Sequence, residues 1–256
     1  AGCTEAPGSG LTCVGGAPDR RDGLFDENQT HTLQVYLGHL WAGMWPQGKV
    51  LRWEGQPGEW TDAGQLGIAT DVHRINEVND LTVYNGKLYA GALPLGEVYR
   101  YERDGVWTRV GRLVRNEQMN PTDIHSWNRV PGMAVFQGRL FAGTSTCHGI
   151  AAAAPHPDVG RVWSVESGRN ACFDGDLGPR WRHVCVVREV DRLRLYVDGC
   201  AVASSAPFGG NRLDLATAEP LVIGAGTQGS LHGWMADVRL YDGALGEREI
   251  ARLAAG

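Results

Sequence analysis

The stretch Val83-Tyr-Asn-Gly-Lys-Leu-Tyr-Ala-Gly91 sets two runs of β-branched and aromatic residues on either side of Asn85-Gly86. Asn-Gly is the strongest short-range hairpin signal, because a type I′ turn holds both central residues at positive φ. The same text recurs as Val35-Tyr-Leu-Gly-His-Leu-Trp-Ala-Gly43 and as Val135-Phe-Gln-Gly-Arg-Leu-Phe-Ala-Gly143. Gly38, Gly86 and Gly138 are spaced by 48 and 52 positions. Side chains that alternate around such a turn describe paired strands with one buried face.

The match continues downstream. Gly48-Lys-Val-Leu-Arg-Trp53 corresponds to Gly96-Glu-Val-Tyr-Arg-Tyr101 and Gly160-Arg-Val-Trp-Ser-Val165, and Trp60–Leu66 corresponds to Trp107–Leu113. Each unit therefore supplies a hairpin, a third strand and a fourth strand, a pattern that at this period is the signature of β-propeller blades. It resembles propeller repeats of the kelch and related kinds, although the kelch Gly-Gly and the sialidase Asp-box are both missing. Three blades do not close a ring, so either other strands complete the circle or the chain is a fragment of one. Trp41, Trp53, Trp60, Trp107 and Trp163 fall at repeat positions where aromatics recur, and are read as core or inter-sheet packing. The third unit carries an insertion, 144–159, with Cys147; Cys172 lies where that unit's fourth strand should begin, so a Cys147–Cys172 bridge is expected to pin the insertion.

The loops that enter the repeats also match. His73-x-x-Asn76-x-Val78-x-x-Leu81 parallels His125-x-x-Asn128-x-Val130-x-x-Met133, and Asn28 extends the register to the first unit, where Phe25 replaces histidine. Repeated polar residues on loops that converge at one end of a set of sheets make a candidate binding surface. The competing reading is that each Asn bonds its own backbone and ends a turn. A metal held by His73 and His125 would need further ligands that the sequence does not place. Trp45, before Pro46, and Trp127, beside His125, stand outside the repeat pattern. A flat exposed ring stacks on a sugar face with little entropy to lose. The candidate ligand-binding residues are therefore Trp45, His73, Asn76, His125, Trp127 and Asn128.

From Trp181 the text changes. It reads Trp181-Arg-His-Val-Cys-Val-Val-Arg188, Leu193-Arg-Leu-Tyr-Val-Asp-Gly199, Pro220-Leu-Val-Ile-Gly224 and Gly233-Trp-Met-Ala-Asp-Val-Arg-Leu-Tyr241, then Ala244-Leu245 and Glu249-Ile250. Alternation over Arg192–Val197 and Asp237–Tyr241 predicts half-buried antiparallel strands, and only the last ten residues, Leu245–Ala254, read as a short helix. This run closely resembles the C-terminal half of laminin-G-like, concanavalin-A-type jelly-roll domains. The resemblance implies a two-sheet β-sandwich, an extracellular setting, and binding of glycans, proteins or calcium at the rim loops. The family's N-terminal half has no counterpart here, because the repeats occupy its place. No calcium ligands are carried over: Asp174 and Asp176 are read as turn formers around Gly175.

The totals bound the function. The chain has 256 residues with net charge −5, and no apolar run approaches the roughly 20 residues needed to span a bilayer. A basic groove for nucleic acid is not expected. Lys49 and Lys87 are the only lysines, which reads as the coding bias of a GC-rich, bacterial genome. The sequence opens on Ala1, from which an upstream segment is expected. The six cysteines, Cys3, Cys13, Cys147, Cys172, Cys185 and Cys200, contain no Cys-x-x-Cys pair, so they are read as disulfide partners in an oxidising compartment. Closing the short Cys3–Cys13 loop would stabilise it by about 2–3 kcal/mol. The alternative for Cys185 and Cys200 is a place in strands as small core residues. Asn28-Gln-Thr30 is a glycosylation sequon.

No G-x-S-x-G elbow, P-loop or H-E-x-x-H is present. The carboxylates Glu77, Asp80, Glu97 and Asp123 mostly align with other residue types in the other repeats, which suits solvent-facing strand positions better than a glycosidase pair. The reading is an all-β protein with a disulfide-containing N-terminal loop region (1–30), three propeller-like repeats (about 31–80, 81–130 and 131–178) and a laminin-G-like segment (179–256). Its expected role is a non-catalytic extracellular or cell-surface module, without a cofactor, that binds a glycan or an extracellular protein. Two alternatives stand beside it. One is a structural subunit of a surface assembly or filament, homo-oligomeric, with strands completed by neighbours; the other is a glycoside hydrolase or its accessory domain.

Overall fold

Asn85 and Gly86 stand at φ +47° and +71°, and Leu37-Gly38, Gln137-Gly138 and Asp198-Gly199 adopt the same pair of positive values. Four type I′ hairpins thus fall where the sequence places X-Gly turns. The computed structural model describes residues 29–67, 76–114, 128–146, 160–209, 218 and 220–256. Cys3, Cys13, Asn28, His73, His125, Trp127 and Cys147 lie outside the described residues.

The first repeat forms a four-stranded antiparallel sheet in chain order: β1 (Gln29–Tyr36), β2 (His39–Trp45), β3 (Lys49–Trp53) and β4 (Trp60–Gln65). The second repeats it with β5 (Glu77–Tyr84), β6 (Lys87–Leu93), β7 (Glu97–Arg103) and β8 (Val106–Arg112). Registers coincide: Leu33 opposes Ala42 as Leu81 opposes Ala90, and a bulge breaks β1 between Thr30 and Thr32 as it breaks β5 between Val78 and Asp80. The third repeat forms β9 (Asn128–Arg129), β10 (Met133–Phe136), β11 (Arg139–Gly143), β12 (Ser145–Thr146) and β13 (Val162–Val165), ordered β10-β11-β13 with β9 paired to β12, where Arg129 opposes Ser145 as Glu77 opposes Leu93.

One expectation is corrected here. The third repeat has no fourth strand: residues 166–183 carry Gly168, Gly175, Gly178 and Pro179 and no alternating apolar run, so the sheet stops at three. Among the described residues the sheets form no closed ring.

The chain divides into two compact units, 1–134 with 142–163 and 225–230, and 135–141 with 164–224 and 231–256. In the first, one face of the first sheet packs on the second sheet. Tyr36, Trp41, Val50 and Ala63 meet Leu81, Val83, Leu88, Ala90 and Tyr101 in a shared core. Edge-to-face rings (Tyr36, Trp41, Tyr101 and Trp107) with centroids 5.0–6.1 Å apart fill its centre. Gly43 and Gly91 are required by this packing. A Cβ on Gly43 would lie 2.7 Å from the Val78 side chain, and one on Gly91 would lie 2.6 Å from the Val130 carbonyl. The recurrent Ala-Gly at the end of each hairpin is thus the notch into which the next repeat's first strand settles. The hairpin β17 (Ala225–Gly226) and β18 (Gly229–Ser230) joins this unit, with Leu37 N–H donating to the Thr227 carbonyl at 2.8 Å.

The second unit is built on the meander β14 (Val184–Arg188), β15 (Leu193–Val197) and β16 (Cys200–Ser204). Asp198 ties its turn to the start of β14, accepting His183 N–H at 3.0 Å and the Arg182 guanidinium at 2.5 Å. Helix α1 (Glu247–Ala255) buries Ile250 against Val187 and Tyr196, with Glu249 accepting the Gly246 N–H at 2.8 Å. The strands read at Pro220–Gly224 and Asp237–Tyr241 do not form. Val238 and Leu240 are 59% and 88% exposed, and neither segment has a partner strand among the described residues.

Candidate functional site

Of the sequence-derived site residues, Trp45, Asn76 and Asn128 are described, and the two asparagines lie in a seam between repeats. Trp45-Pro46 and Leu93-Pro94 are both cis peptides, and each opens a turn at the end of its hairpin. Asn76 N–H donates to the Pro46 carbonyl at 2.6 Å, and Asn128 N–H donates to the Pro94 carbonyl at 3.1 Å. Each asparagine thus starts its own repeat by bridging, in parallel, to the turn of the preceding one (Gln47 with Asn76, Leu95 with Asn128). Asn76 and Asn128 are 1% and 8% exposed, so they lie inside this seam. Trp45 ends β2 half-buried, opposite Gln29.

Of the carboxylates singled out from the sequence, Glu77 and Asp80 bond between sheets, Glu97 bonds within its own, and Asp123 lies outside the described residues. Glu77, 1% exposed, faces His31 Nδ1 at 3.0 Å and the Arg129 guanidinium at 3.2 Å, so it ties the first, second and third repeats. Glu97 accepts from Arg109 at 3.0 Å and from the Tyr99 hydroxyl. Burial, and then Glu97 itself, push the Tyr99 phenol well above its ordinary value. Asp80 accepts Met133 N–H at 2.5 Å and the hydroxyls of Thr82 at 3.2 Å and Thr32 at 3.4 Å; burial outweighs these bonds and raises its pKa. These are partnered groups in a low-dielectric seam, where an unpartnered charge would be costly.

An open site is found in the second unit instead. Among the described residues, strand β14 pairs only with β15. Along it runs a groove of about 700 Å³, lined by 182–188, by 236–237 and 239–245, and by Leu253. The volume is that of a small-ligand cleft. Val186 is 66% exposed there, and Arg239 is fixed by two bonds of 2.7 Å to Asp237. Arg182 is held by the Leu177 carbonyl at 2.8 Å as well as by Asp198. An unpaired strand edge presents N–H and C=O groups in a row, which can bond an extended peptide or sugar hydroxyls.

Sequence reasoning missed this groove, whose walls are some fifty residues apart in the chain. It also passed over Trp181 and Trp234, 70% and 89% exposed, because both stand inside runs read as strands. Among the described residues, no three His, Cys, Asp or Glu side chains converge as metal ligands. Asp176 accepts Gly178 N–H at 2.7 Å and Asp174 accepts Gln137 N–H at 3.0 Å, both backbone-turn roles.

Cys172, Cys185 and Cys200 carry free thiols. Cys185 and Cys200 sit on β14 and β16 with β15 between them, about 10 Å apart at two strand spacings, which is beyond disulfide reach. Burial raises the Cys185 thiol pKa, and its side chain packs against the Ile250 cluster.

Residues 156–251 match the family model Laminin_G_3, described as the concanavalin A-like lectin/glucanases superfamily. No curated protein matches the chain. A solved S-layer domain-containing protein from Clostridium thermocellum is 19% identical over 78% of this chain and 94% of that one, with a TM-score of 0.28, too low to inform the fold. Among the described residues, no helix is long and apolar enough to cross a membrane. What the comparisons support is a concanavalin A-like segment over residues 156–251.

Proposed function

We propose that this protein is an extracellular or cell-surface, non-catalytic module that binds a carbohydrate or protein ligand along the free edge of β14. The observation that carries the reading is the groove of about 700 Å³ beside that unpaired edge, inside the segment that matches a superfamily described as lectins and glucanases. The non-catalytic part is supported by the carboxylates Glu77 and Asp80, each of which bonds to neighbouring repeats, and by Glu97, which is engaged by Arg109 and Tyr99 of its own sheet. An oxidising compartment would let Cys3 and Cys13 pair, and mass mapping of secreted protein reads that pair directly.

The test is a glycan and peptide array probed with wild type and with Val186→Arg, whose long side chain fills the groove from an exposed position. Binding of the array ligands is expected to fall at least about tenfold in the variant. Unchanged binding removes β14 as the site, and turnover of chromogenic glycosides by the wild type overturns the non-catalytic reading.

A further inference from the structure

We infer that the guest of the β14 groove is an extended peptide, apolar at its centre and acidic at its flanks, that joins the sheet as a fourth strand. The inference rests on the proposed binding role of the groove and names the class of partner for it.

Main-chain bonds at the two ends of β14 fix which residues face the groove. The His183 carbonyl accepts Asp198 N–H at 2.8 Å, and Glu189 N–H donates to the Arg192 carbonyl at 2.8 Å. Both bonds run to the β15 side, and the register between them has no bulge. Because the N–H and C=O of successive residues point to opposite edges, Cys185 and Val187 also face β15, and Val184 and Val186 turn theirs outward. Among the described residues, no main-chain bond takes up those outward groups.

The side chains agree. Val184 and Val186 are 52% and 66% exposed, whereas Cys185 and Val187 pack with Ile250 on the opposite face. The strand carries no lysine, proline or bulge of the kind that guards a free edge.

Like main-chain groups recur along this edge at about 6.8 Å, twice the strand rise, a spacing that another strand reproduces. A sugar would draw on side chains, but Arg182 is engaged by Asp198 and the Leu177 carbonyl, and Arg239 by Asp237. Charge selects among peptides. The lining carries Arg182, Arg188 and Arg239 against Asp237 and Asp242, a net positive charge in a chain of net charge −5. A second copy fits less well: the register that pairs Val184 of one β14 with Val186 of the other sets Arg182 against Arg188.

Titration calorimetry of the full chain with the peptide Glu-Val-Thr-Val-Thr-Val-Glu, blocked at both ends, tests this. The peptide should bind with a Kd of about 100 μM or tighter, and Val186→Arg should weaken it at least about tenfold. Methylating one alternate set of the peptide's amides should cost at least about tenfold, and methylating the other set less than about threefold. Val186→Pro deletes one outward N–H while sparing the β15 ladder; it should keep the melting transition and weaken binding at least about tenfold. If that variant does not fold, the methyl scan on wild type decides. No binding up to about 1 mM, or equal loss from both methylated sets, overturns the peptide assignment. Glycans that bind wild type but not Val186→Arg, with no peptide bound, overturn it too and leave the groove reading standing. If Val186→Arg changes the binding of neither peptide nor glycan, the groove itself is removed as the site. A wild-type dimer that Val186→Arg dissociates gives the edge to a second copy and overturns the assignment.

Discussion

Leu37 and Asn85 occupy the same turn position at φ +50° and +47°, yet only asparagine is at ease there, since a branched side chain in the left-handed region costs about 1–2 kcal/mol. The repeat, not the residue, dictates the turn at Leu37: its strands are already in register, and its N–H is held by Thr227. Asp80 shows the same subordination of a residue to the seam. Its folded pKa lies above the ordinary carboxylate value of about 3.9, chiefly through burial. Between those two values the folded state keeps a proton that the unfolded chain has lost, so this group's contribution to stability falls as pH rises. Relative to Asp80→Asn, the wild type should therefore lose stability as pH rises from about 4 through the raised pKa, as read by urea unfolding at stepped pH. A wild type that gains on the variant over that interval contradicts the assignment.

At the scale of elements, the hairpins were legible because two independent signals coincide in them: a turn pair that needs positive φ and apolar residues at period two. The strands at Asp237–Tyr241 carried the second signal alone. Alternation states that one face is to be covered but does not supply the neighbouring strand, and none pairs with it here. Asn76 and Asn128 were legible as a repeated polar position. Their role was not, because it depends on a backbone bridge to turns about thirty residues upstream. Helix α1 was legible to within a few residues, and what holds it is a single buried side chain. Ile250, fully buried with Val187 and Tyr196, should cost about 2–5 kcal/mol when cut to alanine, read as a lower urea midpoint and loss of far-UV helical signal. A change below about 1 kcal/mol would mean that the helix does not dock on this sheet.

At the scale of the whole molecule, the account divides labour between an array of like sheets and a concanavalin A-like segment with an open groove. The array is the part whose logic reaches from single residues to packing, because one glycine position in each hairpin shows where a following repeat closes on it. An alanine there adds a methyl group where Gly43 and Gly91 have none to spare, and where Gly143 has room. Thermal unfolding of Gly43→Ala, Gly91→Ala and Gly143→Ala, at concentrations where the chain is monomeric, compares the three directly. The first two should be destabilised by about 1–3 kcal/mol and the third should match wild type within about 0.5 kcal/mol. If all three respond alike, the sheets are not packed as described.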